Sequence, residues 1–98
     1  MNVDGTWSGT GEGSDGESFP VVIVFTAGTP EIRGYTFNER GEQVPLQDVQ
    51  VADQALSFWF QNGDVTVRAE GTATTTDMRL RGVASVGITM AVALTKAL

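Results

Sequence analysis

The sequence predicts an all-β domain: an antiparallel up-and-down meander of about eight strands, closed as a small barrel. Three observations predict it. Apolar residues recur with period two, and no segment carries the 3.6-residue period of a helix. Turn signals punctuate the chain at roughly the 8–12-residue spacing of all-β sandwiches and barrels. Twelve glycines in 98 residues, with abundant Val and Thr, fit strands and turns rather than helices. Closure leaves no exposed strand edge, which favours a barrel over the alternative, a two-sheet sandwich. The length suits one domain, residues 1–98.

The first strand is expected over Gly5-Thr6-Trp7-Ser8-Gly9-Thr10. Glycines on both sides of Trp7 point to a tight backbone approach at a barrel end. Gly11 to Glu17 reads as an acidic solvated loop. A Ca²⁺ site there would need oxygens at fixed steps and a terminal bidentate Glu, and the spacing does not supply them. Phe19 to Thr26 is the second strand, apolar on both parities, so it is covered on both faces or lies at an interface. Ala27-Gly28-Thr29-Pro30 reads as a hairpin loop. The third strand runs from Ile32 to Asn38, with Arg33, Tyr35 and Phe37 on one face and Ile32, Gly34 and Thr36 on the other. Asn38-Glu39-Arg40-Gly41 is the next turn.

Val44-Pro45-Leu46 and Val49-Gln50-Val51 form a fourth strand whose parity breaks near Gln47-Asp48. Such a step implies a bulge or bend, which also accommodates Pro45. The central hairpin follows. Asn62-Gly63 between two alternating runs predicts a type I′ turn. That turn sets Phe60 opposite Val65, Phe58 opposite Val67 and Leu56 opposite Ala69. Trp59 falls on the polar face of this hairpin, with Arg68 and Glu70. A turn at Thr74-Thr75 leads into the seventh strand, Asp77 to Ser85, and sets Glu70 opposite Arg79 and Arg68 opposite Arg81. The last strand is Ile88 to Lys96. A two-residue Val86-Gly87 turn would turn Met90, Val92 and Leu94 outward as an apolar stripe; a three-residue loop, or a bulge at Gly82, would turn them into the core.

Composition narrows the chemistry. There is no Cys and no His, which excludes disulfides, thiolate or imidazole catalysis, and Cys- or His-ligated metals. No metal and no cofactor is expected. The net charge of −6 disfavours nucleic acid as a partner. No apolar run reaches the ~18 residues of a membrane-spanning helix, and the first residues lack a basic and apolar leader, so the expected location is cytoplasmic. Gly9 to Gly16 is no phosphate loop: it precedes no helix and lacks Gly-Lys-Ser/Thr.

Gly5-Thr6-Trp7-Ser8-Gly9 is similar to the Gly-x-Trp signature that opens the first strand of calycins, the lipocalin and avidin-like barrels. Lys96 stands where lipocalins often carry a basic residue near the last strand. The whole chain also resembles small lipocalin-like barrel domains found beside some bacterial serine hydrolases. The residues that carry this likeness are Gly5 to Gly9, Tyr35, Pro45-Leu46-x-x-Val49, Leu56 to Gly71, and Leu80-x-Gly82 onward to Leu94. The resemblance implies a barrel that binds a small apolar molecule or plays an accessory role. It does not extend to the polar and Trp contacts of avidin-type biotin sites.

Three functions are consistent with these readings. The first is a non-catalytic barrel holding a small hydrophobic molecule, with Trp7, Tyr35, Phe58, Phe60, Met78 and Met90 as candidate ligand-binding residues. Apolar residues at strand period also pack ordinary cores, the plainer reading for Phe58 and Phe60. The second is a structural or self-associating module, a homo-oligomer with a filled barrel. The third is a cofactor-free cyclase or isomerase using Glu31, Glu70 or Tyr35 as acid or base, and no convergent acid–base pair supports it.

Overall fold

The computed structural model describes residues 3–26 and 32–97. Nine strands alternate in direction along one sheet: β1 (Gly5–Gly13), β2 (Ser18–Thr26), β3 (Arg33–Phe37), β4 (Gln43–Pro45), β5 (Gln47–Ala52), β6 (Ala55–Asn62), β7 (Val65–Ala73), β8 (Asp77–Ala84) and β9 (Thr89–Lys96). Their lateral order is β4-β3-β2-β1-β9-β8-β7-β6-β5. The two outer members, β4 and β5, are consecutive in the chain and separated only by Leu46. The sheet is thus a nearly closed antiparallel barrel.

The expected fourth strand is therefore one run divided between two neighbours. Its first half pairs with β3, Thr36 opposite Val44. The Leu46 amide still donates to the Gly34 carbonyl at 2.8 Å. Its second half pairs with β6, and the register slips between Gln47 and Gln50. Asp48 sits at the slip with φ 51°, the left-handed backbone that lets one extra residue bulge out. The parity break near Gln47-Asp48 is this bulge.

Two turns lie one residue further along than expected. The central turn is Gly63-Asp64, with Asn62 paired to Val65 as the last strand residues. Gly63 alone has positive φ (60°), as in a turn of type II′, which takes Gly at its first central position. Phe60 consequently faces Val67, Phe58 faces Ala69 and Leu56 faces Gly71. The next turn centres on Thr75-Thr76, closed by the Thr74 amide on the Asp77 carbonyl at 2.7 Å. Glu70 then faces Arg81, and Arg68 faces Val83 rather than another Arg. Each shift moves pairing by two residues, so every side chain keeps its expected face. The Gly11–Glu17 loop is shorter than expected, because β1 continues through Gly13. Residues 27–31, with the expected Ala27–Pro30 hairpin loop and Glu31, lie outside the described residues.

The last strand faces inward. A three-residue loop, Ser85-Val86-Gly87, closes with the Ala84 amide on the Ile88 carbonyl at 2.8 Å. Met90 then pairs with Gly82, Val92 with Leu80 and Leu94 with Met78. The doubly apolar β2 sends Phe19, Val21, Ile23 and Phe25 inward. Its outward Val22 and Val24 are half-buried, and Val24 lies beside Tyr35 of β3.

Glycines bend the sheet into a barrel. A Cβ on Gly9 would run into the Ala93 carbonyl oxygen, and one on Gly71 into that of Arg79. No side chain fits there, so each glycine lets its strand bend closely against its ladder partner and the sheet curls tightly.

Candidate functional site

The barrel interior has two unlike halves. Chain direction alternates, so one end carries the β7–β8 turn and the segments before β1 and after β9, and the other carries the β1–β2, β3–β4, β6–β7 and β8–β9 loops. The first end is packed solid. Val3, Trp7, Phe25, Leu56, Met78 and Leu94 fill it with almost no exposed surface. The Trp7 indole donates to the Val3 carbonyl at 2.9 Å, and the Lys96 ammonium stands 5.7 Å from its ring centre. The cation closes this end over the indole face.

The second end is open. A cavity of about 450 Å³ enters the barrel there. Phe58 is its floor: its ring meets Phe25 of the packed half edge-on at 6.1 Å and stacks on Phe60 at 6.4 Å. Phe60, Val67, Leu80, Met90 and Val92 form one wall, and Phe19, Val21 and Ile23 the other. Two glycines shape the walls. The Phe19 ring lies over Gly11, in space a Cβ would take, and the Met90 methyl packs close to Gly82. Alternating strands place all of these residues inward by parity.

Polar groups in this cavity are few. Thr36 is the buried polar residue of the described chain, and it lies in the wall. Its hydroxyl donates to the Val22 carbonyl at 2.8 Å. With that proton committed, its oxygen is left as an acceptor. Asn38 at the rim is committed to its own loop, accepting from the Arg40 and Glu42 amides at 2.9 and 3.0 Å. Among the described residues, no buried side-chain polar atom lacks a hydrogen-bond partner, and no group of three acidic residues is placed to hold a metal.

Of the six residues singled out in the sequence, Phe58, Phe60 and Met90 meet at this cavity. Trp7 and Met78 point inward but belong to the packed half. Tyr35 lies on the outer face, its ring edge-on to Phe37 at 5.5 Å. Glu70 is also on the outer face and exposed. Phe19, Val21 and Thr36 were not singled out, although inward parity marks all three. A second depression, of about 600 Å³, lies outside the barrel between Trp59, Arg68, Glu70 and Arg81. It is an open dish with charged walls.

No protein-family model matches the chain, and no curated protein matches it. Solved structures do. The chain is similar in fold to designed β-barrels. One is a redesigned β-barrel, b11L5F_LGL, with a TM-score of 0.76 at 17% identity, covering 98% of this chain and 92% of that one. Another is the redesigned barrel mFAP1 bound to DFHBI, with a TM-score of 0.73 at 18% identity, covering 96% and 94%. A third is a de novo designed fluorescence-activating β-barrel, with a TM-score of 0.63 at 22% identity, covering 96% and 93%. At these identities the likeness is one of fold.

Proposed function

We propose that this chain is a non-catalytic binding barrel that takes one small apolar molecule into its open half. The observation that carries the reading is the cavity of about 450 Å³ floored by Phe58 and lined by Phe19, Phe60 and Met90. Its size falls within the range of small-molecule sites, roughly 300–1,000 Å³, and its mainly apolar lining with a few polar groups matches their usual make-up. The packed half supplies rigidity, so the cavity is held open before a ligand arrives. The designed neighbours mFAP0 and mFAP1, bound to DFHBI, support it by analogy of fold. The lipocalin likeness supports it too, since the Gly-x-Trp of β1 lies against Lys96 of β9. Phe58, Phe60 and Met90 are proposed as ligand contacts, with Trp7 and Met78 as the support beneath them.

The test is titration with a neutral solvatochromic dye. Saturable one-to-one binding is expected, with a blue-shifted emission. Val92→Trp fills the cavity and should weaken binding at least about tenfold, the cost of lost apolar contact. Val92→Phe is the milder companion should the larger side chain disturb folding. Unsaturable binding, or affinity untouched by both variants, overturns the reading.

A second reading is self-association through the outer patch of Val22, Val24, Tyr35 and Phe37, of which Phe37 is 40% exposed. Sedimentation at rising concentration decides it: a dimer that Phe37→Ser dissolves would favour this surface over the cavity.

A further inference from the structure

The charge of this chain is unevenly distributed. The loops around the cavity mouth carry or adjoin Glu12, Asp15, Glu17, Glu39, Glu42 and Asp64, against a single base, Arg40. Six acids and one base give −5 there, out of a formal −6 for the whole sequence. Among the described residues elsewhere, the five acids Asp4, Asp48, Asp53, Glu70 and Asp77 are matched by five bases. The loops also touch one another: the Ser14 amide donates to the Thr89 carbonyl and the Ser85 amide to the Thr66 carbonyl, both at 2.8 Å. The acids are therefore gathered at the open end of the barrel rather than scattered over the surface, and Glu39 among them lines the cavity.

Within the cavity, the buried polar group, Thr36, also selects for charge. The Thr36 hydroxyl has committed its proton to Val22 and presents only lone pairs. The rings of Phe19 and Phe60 line the same cavity, and aromatic faces attract cations and repel anions. A negative rim over a low-dielectric opening concentrates field lines at that opening.

We infer that the cavity selects an organic cation: an apolar, preferably aromatic, body with a primary ammonium head. The body enters against Phe58. The head stays near the mouth, where water still solvates it, donates to Thr36 and is held by the acids gathered there. An anionic head on the same body meets like charge at the rim, where Glu39 belongs to the lining. The inference rests on the binding reading above and adds the charge of the ligand to it.

The experiment compares three ligands sharing one naphthyl-alkyl body and ending in a primary ammonium, a methyl or a carboxylate. Calorimetric titrations are run at about 20 mM and about 300 mM salt, to either side of physiological screening. The ammonium ligand is expected to bind at least about tenfold tighter than the carboxylate at low salt, with the gap closing at high salt. Combining Glu17→Gln, Glu42→Gln and Asp64→Asn, all at exposed positions, should reduce the gap and leave the methyl ligand unaffected. Thr36→Val should weaken the ammonium ligand more than its trimethylammonium counterpart, which has no N–H to donate. Equal affinity for all three heads, or a gap indifferent to salt, overturns the charge selection while leaving the cavity as a binding site. Binding by none of them overturns the binding reading and this inference with it.

Discussion

Phe58 shows how much one side chain carries in a barrel of this size. It is 4% exposed, meets Phe25 below and Phe60 above, and divides the filled half from the open half. Phe58→Ala should cost about 3–5 kcal/mol in chemical denaturation, the usual range for an aromatic removed from a core. It should also deepen the cavity, so a longer ligand would bind relatively better to the variant. Gly71 makes the opposite case. A methyl there meets the Arg79 carbonyl, backbone that can move only with its strand. Gly71→Ala should destabilise by at least about 1–3 kcal/mol, measured by the same unfolding curves. The inward facing of both residues was legible from period two alone. Depth along the barrel axis was not. Trp7, Met78 and Met90 share an inward parity, yet only Met90 reaches the cavity, because depth depends on which end of its strand each residue occupies and on the register of the neighbours.

At the scale of elements, turn composition decides less than it suggests. Asn62-Gly63 fits a type I′ turn by composition, but Gly63-Asp64 is the pair that turns. Both choices keep the hydrophobic face, so parity does not discriminate between them; the extra ladder pair of Asn62 with Val65 favours the longer strands. The observed turn needs positive φ only at Gly63. Gly63→Ala should therefore cost about 1 kcal/mol in thermal or denaturant unfolding, whereas Asn62→Ala should cost well under that. An equal cost for both would restore the Asn-Gly turn. The bulge offers the reverse experiment. Asp48 holds φ 51° without being glycine. Asp48→Gly should stabilise the protein by a few tenths to about 1 kcal/mol, provided the strain relieved exceeds the entropy glycine adds to the unfolded chain. The break in the fourth strand was legible because Val44, Leu46, Val49 and Val51 cannot all share one face without it. That the break hands the strand from one neighbour to the other was not legible, since pairing partners leave no mark in local periodicity.

At the scale of the whole molecule, binding and stability are linked. A ligand at a hundredfold excess over its dissociation constant should raise the unfolding free energy by about 2.7 kcal/mol, and calorimetry would show a higher midpoint. A ligand that binds the outer face of a partly unfolded form would lower it. The division into a packed end and an open end, with the acids collected at the latter, belongs to this scale. Each acid reads singly as a solvated turn residue. Their convergence appears only once the loops joining β1–β2, β3–β4 and β6–β7 are known to share an end.

The passage of the chain through Leu46 has one more consequence. Ahead of it lie β1 to β4, and beyond it β5 to β9; between Leu46 and Gln47 a cut would sever a peptide bond but no pair within either ladder. The only strand pairing that then spans the two pieces, among the described residues, is β1 with β9, from Trp7 opposite Lys96 to Gly13 opposite Met90. The molecule is therefore a ready-made split pair. Its two fragments should reassemble through that one zipper, and a ligand whose cavity draws walls from both would act as the rivet between them.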